Sequence, residues 1–182
     1  LRAEDKPEGC ARSIWHGKEN TVEIRVDDLS GEPTRDLLRI HLQGMQANTP
    51  AGHVFALDLS GLSTPDVTVW SAWRDERILG IGALKQLGAM AGEIKSMRTH
   101  PDHLRQGVAA RLLDRIIEGA IERGLTTLSL ETGTGEPFEP ALALYRRRGF
   151  VPGPTFGDYA ASDFNQFLHL PLPLAARDRR AP

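Results

Sequence analysis

One cysteine, Cys10, is all the thiol that this 182-residue chain carries. A lone thiol excludes an internal disulfide framework and matches a reducing compartment. Long hydrophobic runs are absent too. None approaches the ~20 residues of a bilayer span and no signal-peptide pattern is present, so no membrane partner and a cytoplasmic location are expected. Charge of one sign is also lacking. With 22 basic and 24 acidic residues the formal charge is −2, which gives no general attraction for nucleic acid or an anionic surface. Any anion site must be local. Metal ligands are sparse: His100 and His103 stand three apart, but Pro101 between them predicts a turn and no third ligand accompanies them, so no metal is expected. Trp70 and Trp73 are not flanked by a basic stripe, so they read as packing residues and not as a base-stacking surface. No repeat or low-complexity block is visible.

What is present fits one domain, with 40% hydrophobic and 25% charged residues. Residues 1–20 are polar and aperiodic and are expected to be a disordered N-terminal tail, residues 21–172 the domain, and residues 173–182 a C-terminal tail. Val22, Ile24 and Val26 alternate with polar neighbours, predicting a half-buried first strand. From Pro33, the spacing of Leu37, Leu38, Ile40, His41, Leu42 and Met45 predicts a helix ending near Thr49, and a second short helix is expected over 53–59. Residues 67–73 and 78–87 flank the polar Arg74-Asp75-Glu76-Arg77, the pattern of a hairpin. Gly80 and Gly82 in its second arm predict a bulge or a close backbone approach. Further on come a strand over 126–130, a turn over ETGTGEP, a helix from Pro140 stopped by Gly149, and a last strand over 164–170. This alternation implies an α/β or α+β layer fold with a mixed sheet.

The stretch from Gly92 to Gly124 organises the rest. A strand, GEIKSMRT, leads through a Pro-containing turn into a helix on which Val108, Leu112, Ile116 and Ala120 form one stripe and Ala109, Leu113, Ile117 and Ile121 the next. No Ser, Thr or Asp caps the helix start at Gly107. An uncapped start leaves backbone N–H groups and the positive end of the helix dipole facing outward, which suits a phosphate; close packing at a turn is the alternative use of Gly-x-Ala. The strand's Lys95, Ser96 and Arg98 make a poor buried ladder, so either it is incompletely paired or it is a half-exposed edge.

The turn Leu104-Arg105-Gln106-Gly107-Val108-Ala109 resembles motif A of the GCN5-related N-acetyltransferases, Gln/Arg-x-x-Gly-x-Gly/Ala, with Leu104 departing from the pattern. The segment ALALYRRRGF resembles the second signature of that family, with Ala141, Leu144, Tyr145, Gly149 and Phe150 in place and Phe138 where many members carry Asn. The stretches GEIKSMRT, HLRQGVA, LSLETG and a late FGDY are similar to the YsnE-type branch of bacterial acetyltransferases. The resemblance implies a GNAT-like acyl-CoA N-acyltransferase fold, with a mixed, mostly antiparallel central sheet flanked by helices. It implies acetyl-CoA as co-substrate, held by Met97, Arg98 and Thr99 of a splayed strand, by the turn residues Leu104, Arg105, Gln106, Gly107, Val108 and Ala109, and by Tyr145. A homodimer is common in the family.

The implied chemistry is transfer of an acetyl group to a primary amine of a small molecule or peptide by direct attack. An alkylamine titrates near ~10 and must lose a proton to attack, so a base is required. Glu93 is the preferred candidate and Glu131 the competitor; each is also readable as a solvated strand-end charge. In the family the Tyr of the second signature protonates the departing thiolate, and Tyr145 takes that expectation, against the alternative of a packed core tyrosine. A coenzyme A binding module that senses acyl-CoA without turnover is the rival, and would dispense with Glu93 and Tyr145.

Overall fold

The computed structural model describes residues 21–50 and 56–173. The two expected tails, Cys10 among them, lie outside the described residues except for Pro173, and so do residues 53–55 of the expected short helix. Seven strands form one sheet in the order β1-β2-β3-β4-β5-β7-β6. They are β1 Glu23–Asp27, β2 Val67–Arg74, β3 Arg77–Gln86, β4 Ala91–Thr99, β5 Thr127–Gly133, β6 Val151–Pro152 and β7 Asn165–Pro171. Every neighbouring pair is antiparallel except β4 and β5, which run parallel. The helices are α1 Glu32–Asn48, α2 Leu59–Leu62, α3 Val108–Glu122 and α4 Glu139–Arg147.

Two apolar layers sandwich the sheet. On one face Leu37 and Leu38 of α1 and Leu62 of α2 pack with Val69, Trp73, Ile81 and Ala83. On the other, α3 buries Val108, Leu112, Leu113 and Ile116 against Trp70, Leu79 and Leu84, and the layer continues through Leu128 and Leu130 to Leu142 and Phe150. Those four α3 side chains contribute about 8 kcal/mol at roughly 2 kcal/mol each. Gly124, at φ 73°, stops the helix, with its N–H and that of Leu125 closing on Ile121 and Ala120.

The hairpin of β2 and β3 keeps the expected limits to within one residue, and its tryptophans are packed on opposite faces. Gly82 reports a close approach: a Cβ there would lie 2.5 Å from the Met97 sulfur and 2.9 Å from Ile116. Opposite it, β4 bulges, since Ala83 pairs with Lys95 but Ile81 with Arg98, and Ser96 takes a positive φ of 52°. The extra residue breaks the two-residue alternation of the strand. Ile94 and Met97 therefore face α3, while Glu93, Lys95 and Arg98 share the α1 face.

Several expectations need correction. The strand β4 is central and not an edge, lying between β3 and β5. Val26 is 65% exposed although it alternates with Ile24, because β1 is an edge strand of the sheet and of the two only Ile24 packs against the core. The second helix begins at Leu59, where Asp58 accepts from the N–H of Gly61 and sets the start. β5 runs on to Gly133, so Glu131 sits inside a strand and not at its end; its pairing with β7 carries the backbone through ETG. The short β6 was not legible, since Val151-Pro152 is too brief to show alternation.

Candidate active site

The end of β4 leads into a short helical turn, Pro101–His103, and then to two left-handed residues, Arg105 at φ 58° and Gly107 at φ 78°. Gly107 is the N-cap of α3 and offers no side-chain cap. The first intrahelical bond is Arg111 N–H to Gly107 carbonyl, at 3.2 Å, so the amides before it have no partner within the helix. A Cβ on Gly107 would meet nothing within 4 Å, which leaves the approach to these amides open. Val108 anchors the turn by full burial, whereas Leu104, Arg105 and Gln106 stay exposed and Ala109 is half-buried. Arg74 reaches from the end of β2 to Gln106, donating to its Oε1 at 3.1 Å. The structure thus provides a bare helix start of the kind that binds phosphate.

The strand before it is incompletely paired. Its parallel register with β5 covers Ala91, Gly92 and Glu93 only, against Thr127, Leu128 and Ser129. Beyond that point the strands splay around a cleft of about 200 Å³ lined by Ile94 to Arg98 on one side and Leu130 to Thr132 on the other, with Tyr145 at its base and His41 from α1 over it. Beyond Glu93 and Ser129 the two strands share no further pair of the ladder. An amide-bearing arm of extended shape fits such a gap, since it can take up strand-like hydrogen bonds there.

The cleft brings together Tyr145 and Glu131 and leaves Glu93 apart. Tyr145 is buried, its ring edge-on to Phe150 at 5.7 Å, and burial pushes its hydroxyl above the ordinary phenol range. Its proton is therefore held at neutral pH. Burial pushes the Glu131 carboxyl up to about 7; Lys95 opposes this shift and Glu93 adds to it. Glu93 is 3% exposed and lies at the paired end of the two strands. Its Oε1 accepts from Lys95 Nζ at 3.2 Å and from the Tyr159 hydroxyl, and the Lys95 ammonium also donates to the Tyr159 oxygen at 2.6 Å.

A sequence profile of the Acetyltransferase (GNAT) family matches residues 34–150, more than half of the chain. The chain belongs to the GNAT acetyltransferase family. It is 44% identical over 147 residues to the uncharacterized N-acetyltransferase YsnE of Bacillus subtilis (strain 168), a match covering 81% of this chain and 97% of that protein. Against the uncharacterized N-acetyltransferase YedL of Escherichia coli (strain K12) the identity is 43% over 149 residues, covering 82% and 94%. Among solved structures, a Klebsiella pneumoniae protein assigned as an acyl-CoA N-acyltransferase superposes with a TM-score of 0.71 at 26% identity, over 84% of this chain and 99% of that one. The mixed, mostly antiparallel sheet flanked by helices is the GNAT arrangement.

Within this GNAT chain, three polar side chains of the cleft region take places that local pattern does not set. His41 falls on an apolar helical stripe and looks like any core position there. It is 6% exposed, and its pKa is lowered to about 4 by burial, then by the charges of Arg98 and Lys95. Tyr159 comes from a loop far along the chain, and only the fold carries it to Glu93. The side chain of Arg98 is set on the α1 face by the bulge, and burial lowers its pKa. No periodicity argument anticipates a bulge at Ser96, although the paired glycines of β3 hint at one.

Proposed function

We propose that this GNAT acetyltransferase moves the acetyl group of acetyl-CoA onto a primary amine by direct attack, with Glu131 as the base and Tyr145 as the acid. The observation that carries the assignment is the cleft itself: it gathers one carboxyl raised to about 7 and one protonated phenol between two splayed strands, the first of which leads to a bare helix start. Acetyl-CoA would supply the thioester carbonyl, and main-chain N–H groups of β4 beyond the end of its ladder with β5 would polarise it. A carboxyl near pKa 7 is about half ionised at neutral pH and can accept the ammonium proton of an entering amine, directly or through one water. The amine nitrogen then bonds to the carbonyl carbon, the carbon–sulfur bond breaks as the Tyr145 hydroxyl gives its proton to the sulfur, and the second proton lost by the nitrogen restores the Tyr145 hydroxyl through water. Glu93 has its carboxylate engaged by Lys95 and Tyr159, which supports a positioning role in place of the base role expected for it. The sequence identity to YsnE and YedL supports placement in that branch.

Tyr145→Phe tests the reading. The ring and its contact with Phe150 survive, so acetyl-CoA affinity should stay within about twofold while kcat for any accepted amine falls by roughly 10²-fold or more. Full activity in this variant, followed by release of free thiol, removes Tyr145 from the mechanism. A module that only senses acyl-CoA would bind it and release no thiol with any amine.

A further inference from the structure

The bulge at Ser96 delivers Arg98 to the α1 side of the cleft, where its guanidinium lies across Gly44. A Cβ at Gly44 would stand 3.2 Å from one terminal nitrogen and 3.4 Å from the other. Glycine inside a helix is less stable than alanine, and here it makes room for this cation. Arg98 Nε is buried and has no hydrogen-bond partner, and among the described residues no carboxylate forms an ion pair with its guanidinium. The acidic residues of α1, Glu32 and Asp36, are occupied by Arg39 at its exposed N-terminal end. His41 and Asn48 line the same wall and bring no negative charge, while Lys95 is bonded to Glu93. Across the cleft stands Glu131 on β5.

A half-buried guanidinium without a counter-ion is costly, and its planar fork matches a carboxylate in two parallel hydrogen bonds. We propose that Arg98 anchors a carboxylate of the acceptor, which makes the acceptor an amino acid or a related amino carboxylate. This rests on the reading of Glu131 as base: the amino group then lies toward Glu131 and the carboxylate toward Arg98, so the two ends of a zwitterion meet complementary groups on opposite walls. The phosphates of acetyl-CoA have their own site at the Gly107 turn, at the far end of the strand's approach.

Thiol release from acetyl-CoA is measured with α-, β- and γ-amino acids and with the carboxamide of each. Calorimetry measures binding of the same amino acids to the protein–coenzyme A complex. At least one acid should be used with a kcat/KM tenfold or more above that of its amide. Arg98→Gln should raise KM for that acid by at least tenfold, with Arg98→Lys intermediate; since the contact expected between this strand and acetyl-CoA is through main chain, which the substitution retains, the amide's KM and the acetyl-CoA affinity should stay within twofold. Retained acetyl-CoA affinity shows that the variants fold. Equal use of acids and amides, or a loss in Arg98→Gln that falls on acetyl-CoA, overturns the carboxylate anchor. If no amine is acetylated, binding separates the two ideas: acids bound by the wild type and lost in Arg98→Gln keep the anchor and remove the transferase reading, whereas acids bound by neither protein overturn the anchor.

Discussion

Glu131→Gln should make the protein more stable above neutral pH and slower at the same time. Burial raises the Glu131 carboxyl from 4.5 to about 7. At about 1.4 kcal/mol per pH unit, ionising it in the folded state costs up to about 3 kcal/mol, and partial exposure to water reduces this to about 1–2 kcal/mol. The folded state holds the proton more tightly than the unfolded chain, so the penalty is absent below pH 4.5, grows between 4.5 and 7, and is complete above 7. Gln carries no charge and removes it. At about 2–4 °C per kcal/mol for a chain of this size, the variant's Tm at pH 8 should exceed that of the wild type by a few degrees, with no difference at pH 4. Catalysis should respond in the opposite sense. A general base contributes about 10²–10⁴-fold, so kcat/KM should fall by that order, and the wild-type rise of kcat/KM with a midpoint near 7 should disappear. Scanning calorimetry at the two pH values and a thiol-release pH profile measure both signatures. An unchanged Tm at pH 8, with the midpoint still near 7 in the variant, refutes the reasoning and returns the base role to Glu93.

Gly107→Glu should weaken acetyl-CoA binding by more than a hundredfold in calorimetry, because a carboxylate would stand over the helix start. Gly107→Ala isolates the left-handed strain, about 1–2 kcal/mol, since nothing lies near the added Cβ. His41, held near 4 in the folded state against an ordinary 6.5, contributes stability that is present above pH 6.5 and lost as pH falls toward 4, by up to about 3 kcal/mol. His41→Gln should flatten that limb, as read from urea midpoints at pH 7 and 4.5.

Local periodicity carried much of the architecture into view. The stripe of α3, the Pro33 start of α1 and the polar turn between Arg74 and Arg77 are each set by neighbours in sequence, and the folded chain keeps them. Gly80 and Gly82 announced a close approach without saying to what; Arg98 carbonyl, Val108, Met97 and Ile116 are the answer, all contributed from 15 or more residues away. The site was legible where main chain forms it, as at Gly107, and opaque where side chains from distant elements meet. The burial that raises Glu131 depends on the splay of β4 from β5, and the engagement of Glu93 depends on Tyr159, 66 residues further on. Neither has a trace in local pattern.

Three residue pairs make up the whole main-chain ladder between the first four strands and the last three. Past Glu93 and Ser129 the two half-sheets are held by the apolar layer that α3 and α4 share beneath them. Side-chain packing yields to rotation more easily than a full ladder, so the amides beside the gap are expected to exchange with deuterium at a lower opening free energy than those of the β2–β3 hairpin. A ligand lying along the unpaired stretch of β4 acts as an inserted strand and stiffens the joint. At a hundred times its Kd it adds about 2.7 kcal/mol to global stability, and the protection it confers should concentrate along β4 beyond Glu93, at Met97 and Arg98. Each catalytic cycle would then alternate a hinged sheet with a braced one, and the rate of product escape would be tied to the unzipping of that borrowed strand.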